Sequence, residues 1–254
     1  MVEHSLTKNK EYLDLLNFAS HETTYDPLPP LRSDLYSKRL TTIDWLSTID
    51  QAVRGDDAGE EVFFTAIWIL DRALSRVSLE RDVYPATDIV FIGLCSYIIS
   101  YKYHVIEDFG DSDEATSDID QNNYISKWCY IVGGGFTTSE IERGLIMVLK
   151  DAGWIIPTIT TIEIAMTFLP ELIMESGDPD LIRYIALISL ADYSLNSVRR
   201  STLAVACIVL SYRLKGVELK DIPEEIEITV EKVRETYSKI QSDPSVFTQI
   251  KSTY

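Results

Sequence analysis

Three histidines, His4, His21 and His104, are the side chains best suited to moving protons near neutral pH, and they are scattered along the chain. Two of them fall in the first 33 residues, a segment that reads as a leader. No serine occupies a Gly-x-Ser-x-Gly turn, and no glycine-rich loop precedes Lys-Ser or Lys-Thr, so the sequence carries neither an acyl-transfer nor a nucleotide-binding signature. Gly133-Gly134-Gly135 follows no strand-like run and reads as a flexible turn. The acidic run DSDEATSDID, from Asp111, hints at calcium. An EF-hand loop, however, needs Gly at its sixth position and Glu at its twelfth, and here these are Thr116 and Asn122. Cys95, Cys129 and Cys207 lie far apart, two of them in apolar runs, which is neither a metal spacing nor a disulfide framework. The expectation is therefore no catalytic residue, no metal and no cofactor.

The elements that must hold any binding residues are helical. Of the 254 residues 46% are hydrophobic, enough for globular cores, while nine Pro and eleven Gly sit mostly between apolar-periodic stretches. The net charge of −17, from 40 acidic and 23 basic residues, repels phosphate backbones; Arg199-Arg200 and Lys38-Arg39 are pairs, not basic stripes. No nucleic-acid partner is expected. The opening MVEHSLTKNKEYLDLL has no apolar core of a signal peptide. The longest near-apolar run, Ile89–Ile99, falls short of the roughly 20 residues that cross a bilayer. These features lead us to expect a soluble intracellular protein with no membrane partner.

Pro27, Pro29 and Pro30 close the leader. Leu35, Leu40, Ile43, Leu46, Ile49 and Val53 then recur at helical spacing, until Arg54-Gly55-Asp56-Asp57 breaks the stripe. Asp57 with Glu60 forms a capping-box pattern before VFFTAIWILDRAL, apolar on nearly every face and so expected at the centre of a bundle. Pro85 opens a third helix, IVFIGLCSYIISYKYHV. Residues 107–120 hold seven acids and no base and read as an exposed loop. A short helix around Tyr124–Ile131 follows, and Thr137–Glu140 caps a fifth that ends near Gly153, before Pro157. The second half repeats the plan with Thr160–Met174, Asp178 to about Leu195, Ser201–Leu214 and Ile228–Ile240 after Pro223. SYIISYKY (96–103) echoes CIVLSYRL (207–214), and ILDRALS (69–75) echoes SLADYSL (189–195). The fold class expected is all-α, two tandem five-helix units: leader 1–33, first unit 34–156, second unit 157–243, tail 244–254.

Arg39 with Asp44-Trp45-Leu46, then Leu70-Asp71-Arg72, Ser100-Tyr101-Lys102-Tyr103, and Trp154 before Pro157-Thr158, occur in the order of a cyclin box. LISLADYSLNSVRRSTLAVACIVLSYRL resembles the matching stretch of A- and B-type (mitotic) cyclins, so the resemblance spans roughly residues 35–240. It implies twin cyclin boxes in a regulatory subunit, not an enzyme, that binds and activates a cyclin-dependent kinase in cell-cycle control. It also implies an ion pair between Arg39 and Asp71 that orients the kinase-holding helices, and a kinase grip through Lys102, Tyr103, Glu142 and Trp154. Glu142 lies twelve residues before Trp154, farther than in the family, and alignment on Trp154 would put Leu145 there instead. Either three residues are inserted after the helix or this contact is lost. The family's docking patch for Arg-x-Leu substrate peptides reads Lys38-Arg39-Leu40-Thr41-Thr42 here. Two apolar anchors have become Thr and one Lys, which implies a weakened, shallower and wetter pocket with Trp45 and Ile89 as docking candidates. Arg32-Ser33-Asp34-Leu35 fits an Arg-x-x-Leu degradation signal. The alternatives are a cyclin-fold scaffold that binds peptides without a kinase, and a transcription-type adaptor, whose basic surfaces and amino-terminal zinc ribbon the sequence lacks.

Overall fold

A computed structural model describes residues 4–5, 28–53, 59–79, 89–105, 118–157, 159–172, 178–220, 222–243, 245–248 and 250. The Asp57 cap, the Pro85 helix start, residues 107–117 of the acidic run and most of the leader lie outside them. The described chain is all-α. Its extended backbone is confined to a two-residue parallel pair, β1 (His4–Ser5) beside β2 (Leu219–Lys220). Two compact units emerge, Leu31–Pro157 and Thr158–Tyr254, and the described residues before Leu31 group with the latter.

Among its described residues the Leu31–Pro157 unit holds five helices: α1 (Ser33–Val53), α2 (Glu61–Leu79), α3 (Ile89–Val105), α4 (Asp118–Ile131) and α5 (Thr138–Asp151). On α1 the three- and four-residue spacing buries one stripe, Leu35, Arg39, Thr42, Ile43, Leu46, Ile49 and Asp50. α3 is the centre: Phe91 through Ser100 are all buried, and it packs against α1, α2 and α5. A helix apolar on every side has no face to give to water, so the others assemble round it. Two glycines set its closest approaches. A Cβ on Gly93 would stand 2.5 Å from Thr42 Cγ2, and one on Gly144 would stand 2.6 Å from both Cys95 Sγ and Phe91 Cζ. α4 docks through Trp128, 1% exposed, whose ring meets Tyr97, Tyr101 and Tyr124 edge-on.

The second unit holds α6 (Thr161–Leu172), α7 (Pro179–Ser189), a 3-10 helix (Tyr193–Ser197), α8 (Arg200–Leu214) and α9 (Glu224–Ser242). Here α8 is central, buried from Ser201 to Tyr212 and packed on α6, α7 and α9. The echo of SYIISYKY in CIVLSYRL thus marks the buried central helix of each unit. The other echo does not hold structurally. ILDRALS lies inside α2, whereas SLADYSL runs from the last residue of α7 into the 3-10 helix. α7 stops at Ser189 rather than near Leu195 because the Asp192 carboxylate accepts from the Ser194 amide and starts the tighter turn. α4 begins at Asp118, so the last three residues of the expected acidic loop are helical.

Candidate functional site

The first charged contact of the five-helix unit is internal. Arg39 on α1 donates from Nε and Nη2 to the two carboxylate oxygens of Asp71 on α2, at 2.5 and 2.7 Å. Their side chains are 1% and 0% exposed, so the fork-to-fork pair lies wholly inside the unit. Asp50, also buried, accepts from Tyr97 Oη at 2.8 Å and ties the other end of α1 to α3.

The opposite behaviour is found at the end of α3 and along α5. Lys102 and Tyr103 are exposed on the last turn of α3, with 43% of Tyr103 open to solvent. On α5 the residues Ile141, Gly144 and Val148 face inward, while Glu142, Arg143 and Ile146 face out. Ile146, one turn after Glu142, is 61% exposed. Of the two positions left open by the spacing to Trp154, Glu142 is exposed and Leu145 is half-buried. The capping box fixes this register: the Thr137 hydroxyl accepts from the Glu140 amide, and Glu140 accepts from the Thr137 amide at 2.8 Å.

Trp154 lies just past α5. Its amide donates to the Leu149 carbonyl at 2.8 Å and closes the helix end, as a residue after a left-handed Gly153 (φ 74°) is placed to do. Trp154 itself is left-handed at φ 60°, rare for a bulky side chain, and leaves its ring 64% exposed beside Ile155. Sequence reasoning named Trp154 but missed Ile146. Its signal was the i, i+4 spacing from Glu142, on a face opposite Gly144.

The α1 patch is less open than the docking expectation. Ile89 is only 6% exposed at the start of α3, so packing claims nearly all of it. Thr42 is fully buried against Gly93, and its hydroxyl has no hydrogen-bond partner. Trp45 is half-buried, while Lys38 and Thr41 face solvent. Arg32 is held to Asp34 at 2.7 Å, and Ser33 to Leu35 lie in the first turn of α1 with Leu35 buried.

Among the described residues no three His, Cys, Asp or Glu side chains converge on a metal site, and no helix is long and apolar enough to cross a membrane. Burial pushes the Cys95 and Cys207 thiols up to about 12, so both are inert.

No family model matches the sequence, and no curated protein matches it. The three-dimensional arrangement does find a counterpart. The X-ray structure of a viral cyclin from herpesvirus saimiri superimposes with a TM-score of 0.61 at 14% identity, covering 89% of this chain and 96% of that one. The fold is the cyclin fold. At that identity the likeness is one of fold. Within the cyclin fold, the Arg39–Asp71 pair links the first two helices, Lys102, Tyr103, Glu142 and Ile146 are displayed outward by the third and fifth, and Trp154 is displayed just past the fifth.

Proposed function

We propose that this chain is a regulatory subunit that binds and activates a cyclin-dependent protein kinase, acts through it in cell-cycle progression, and performs no chemistry of its own. On this reading residues 34–156 and 157–243 are two cyclin boxes between a leader, 1–33, and a tail, 244–254. The partner meets them inside the cell, in the nucleus or the cytoplasm. The observation that carries the proposal is the outward display, within a cyclin fold, of a cation and an aromatic (Lys102, Tyr103) on α3 and of a carboxylate and an aliphatic (Glu142, Ile146) on α5. Apolar side chains flanked by charges of both signs suit a protein interface whose energy concentrates in a few central residues.

The mechanism is mechanical. The exposed faces of α3 and α5 press on the kinase's mobile regulatory helix, moving it inward to complete the Lys–Glu ion pair that aligns the ATP phosphates. Lys102 donates to kinase backbone carbonyls, Glu142 accepts on the other side, and Tyr103, Ile146 and Trp154 supply the apolar centre.

Surface plasmon resonance against a panel of purified cyclin-dependent kinases tests the reading. At least one member binds, and Lys102→Ala weakens that binding by about 2 kcal/mol with an unchanged melting temperature, because it removes only a partner contact. Binding by no member of the panel sinks the proposal and leaves a cyclin-fold scaffold.

A further inference from the structure

The C-terminal end of α3, which carries Lys102 and Tyr103, is fastened to α2 by polar contacts from Ser100 and, one turn later, His104. Ser100 Oγ donates to the Val62 carbonyl at 2.6 Å, in the core. Farther along, His104 Nε2 and Thr65 Oγ1 share a hydrogen bond of 3.0 Å. Thr65 is fully buried, so its hydroxyl would lose a partner in a dry environment if the imidazole left. The His104 ring also stands edge-on to the Tyr103 ring, centroids 5.1 Å apart and planes at 88°. The half-buried imidazole thus bridges a buried hydroxyl of α2 and an exposed aromatic of α3.

Helix ends fray because their final carbonyls have no partner within the helix, and α3 ends at Val105. Without an anchor, Lys102 and Tyr103 would sit on a fraying turn. We infer that His104 is a positioning residue: it locks the last turn of α3 onto Thr65 and sets the Tyr103 ring, so that a kinase meets a preformed Lys102–Tyr103 pair. The binding half of this inference rests on the proposed kinase partnership. Preorganisation of this kind raises affinity by removing the cost of ordering the surface on association.

Two measurements test it. Amide hydrogen exchange over residues 101–105 needs no kinase. His104→Ala speeds exchange by about tenfold, the loss of roughly one hydrogen bond. His104→Gln, whose amide reaches the Nε2 position, restores protection. Thr65→Val behaves like His104→Ala, and the double variant is no worse than either single one. Unchanged exchange in His104→Ala, or His104→Gln as fast as His104→Ala, overturns the inference. The second measurement is resonance binding to the panel kinase that captures the wild type. His104→Ala binds about tenfold more weakly and His104→Gln within about twofold of wild type, as one hydrogen bond implies. If Lys102→Ala and Tyr103→Ala lose affinity while His104→Ala does not, the positioning role is overturned. If neither Lys102→Ala nor Tyr103→Ala loses affinity, the kinase placement has failed instead, and the exchange result alone decides the anchoring role.

Discussion

Arg39 and Asp71 show how strongly one residue's worth depends on its partner. Each charge sits in the core at 1% exposure or less, where an isolated ion is expensive and a well-formed fork is tolerated. Arg39→Ala is therefore expected to cost about 3 kcal/mol in a urea melt, and Asp71→Ala a similar amount. The double variant should cost clearly less than the sum, because it leaves no lone charge behind. Additive losses below 1 kcal/mol would mean that the two groups do not meet in solution. Trp154 is the converse case, a residue whose fold pays for its display. A left-handed conformation costs an L-residue about 1–2 kcal/mol, and the exposed ring recovers little of it by packing. Trp154→Gly is expected to raise stability by up to about 1 kcal/mol, part of the strain relief being offset by glycine's greater freedom when unfolded. The same change should weaken kinase binding. A destabilised Trp154→Gly would show that the ring supports the fold instead.

At the scale of elements, the crossing of α3 and α5 decides where Glu142 and Ile146 stand. Gly144 is what lets the helices approach, since a methyl there would meet Cys95 Sγ and the Phe91 ring at 2.6 Å. Gly144→Ala gains about 1 kcal/mol of helix propensity and loses about 1–3 kcal/mol to overpacking, so the clash wins. The expected result is a net loss of up to about 2 kcal/mol in a urea melt, and a stabilised variant would show that the helices have room to separate. Much of this architecture was legible in advance. The α1 stripe, the apolar α2 and α3, and the Thr137–Glu140 cap are local patterns that need no tertiary knowledge. What the sequence concealed depends on partners distant along the chain. The Arg39–Asp71 pair came through resemblance, not through spacing. Thr42 looked like a weakened docking anchor because its burial depends on Gly93, 51 residues away. The early stop of α7 was hidden because Asp192 competes with the helix by a local carboxylate turn, while the apolar pattern runs on to Leu195.

For the whole molecule the dominant sequence fact is charge. A net −17 at neutral pH means self-repulsion, which eases as acids begin to protonate. Specific pairs act against that relief. Hydrogen bonding to Arg213 holds Glu227 below the usual carboxylate value of 4.5, and the Lys215 ammonium holds Asp178 below its usual 3.8. Both folded-state values are depressed, so their stabilisation is present above the usual values and is lost as pH falls through the lowered ones. The pairs are partly exposed, so each contributes modestly. Thermal melts should change little from pH 7 to 5 and fall below about pH 4.5, with Glu227→Gln showing a shallower acid decline than wild type. Parallel acid profiles would show that the Arg213–Glu227 pair is inert. The central claim, a cyclin-fold subunit that switches on a kinase, is tested most directly by the phosphorylation rate of a peptide substrate. The assay runs each of several purified cyclin-dependent kinases with and without the chain. The account predicts that at least one kinase is accelerated by a large factor, and that Lys102→Ala at limiting concentration removes most of the gain. Equal rates with and without the chain across the whole panel would contradict it.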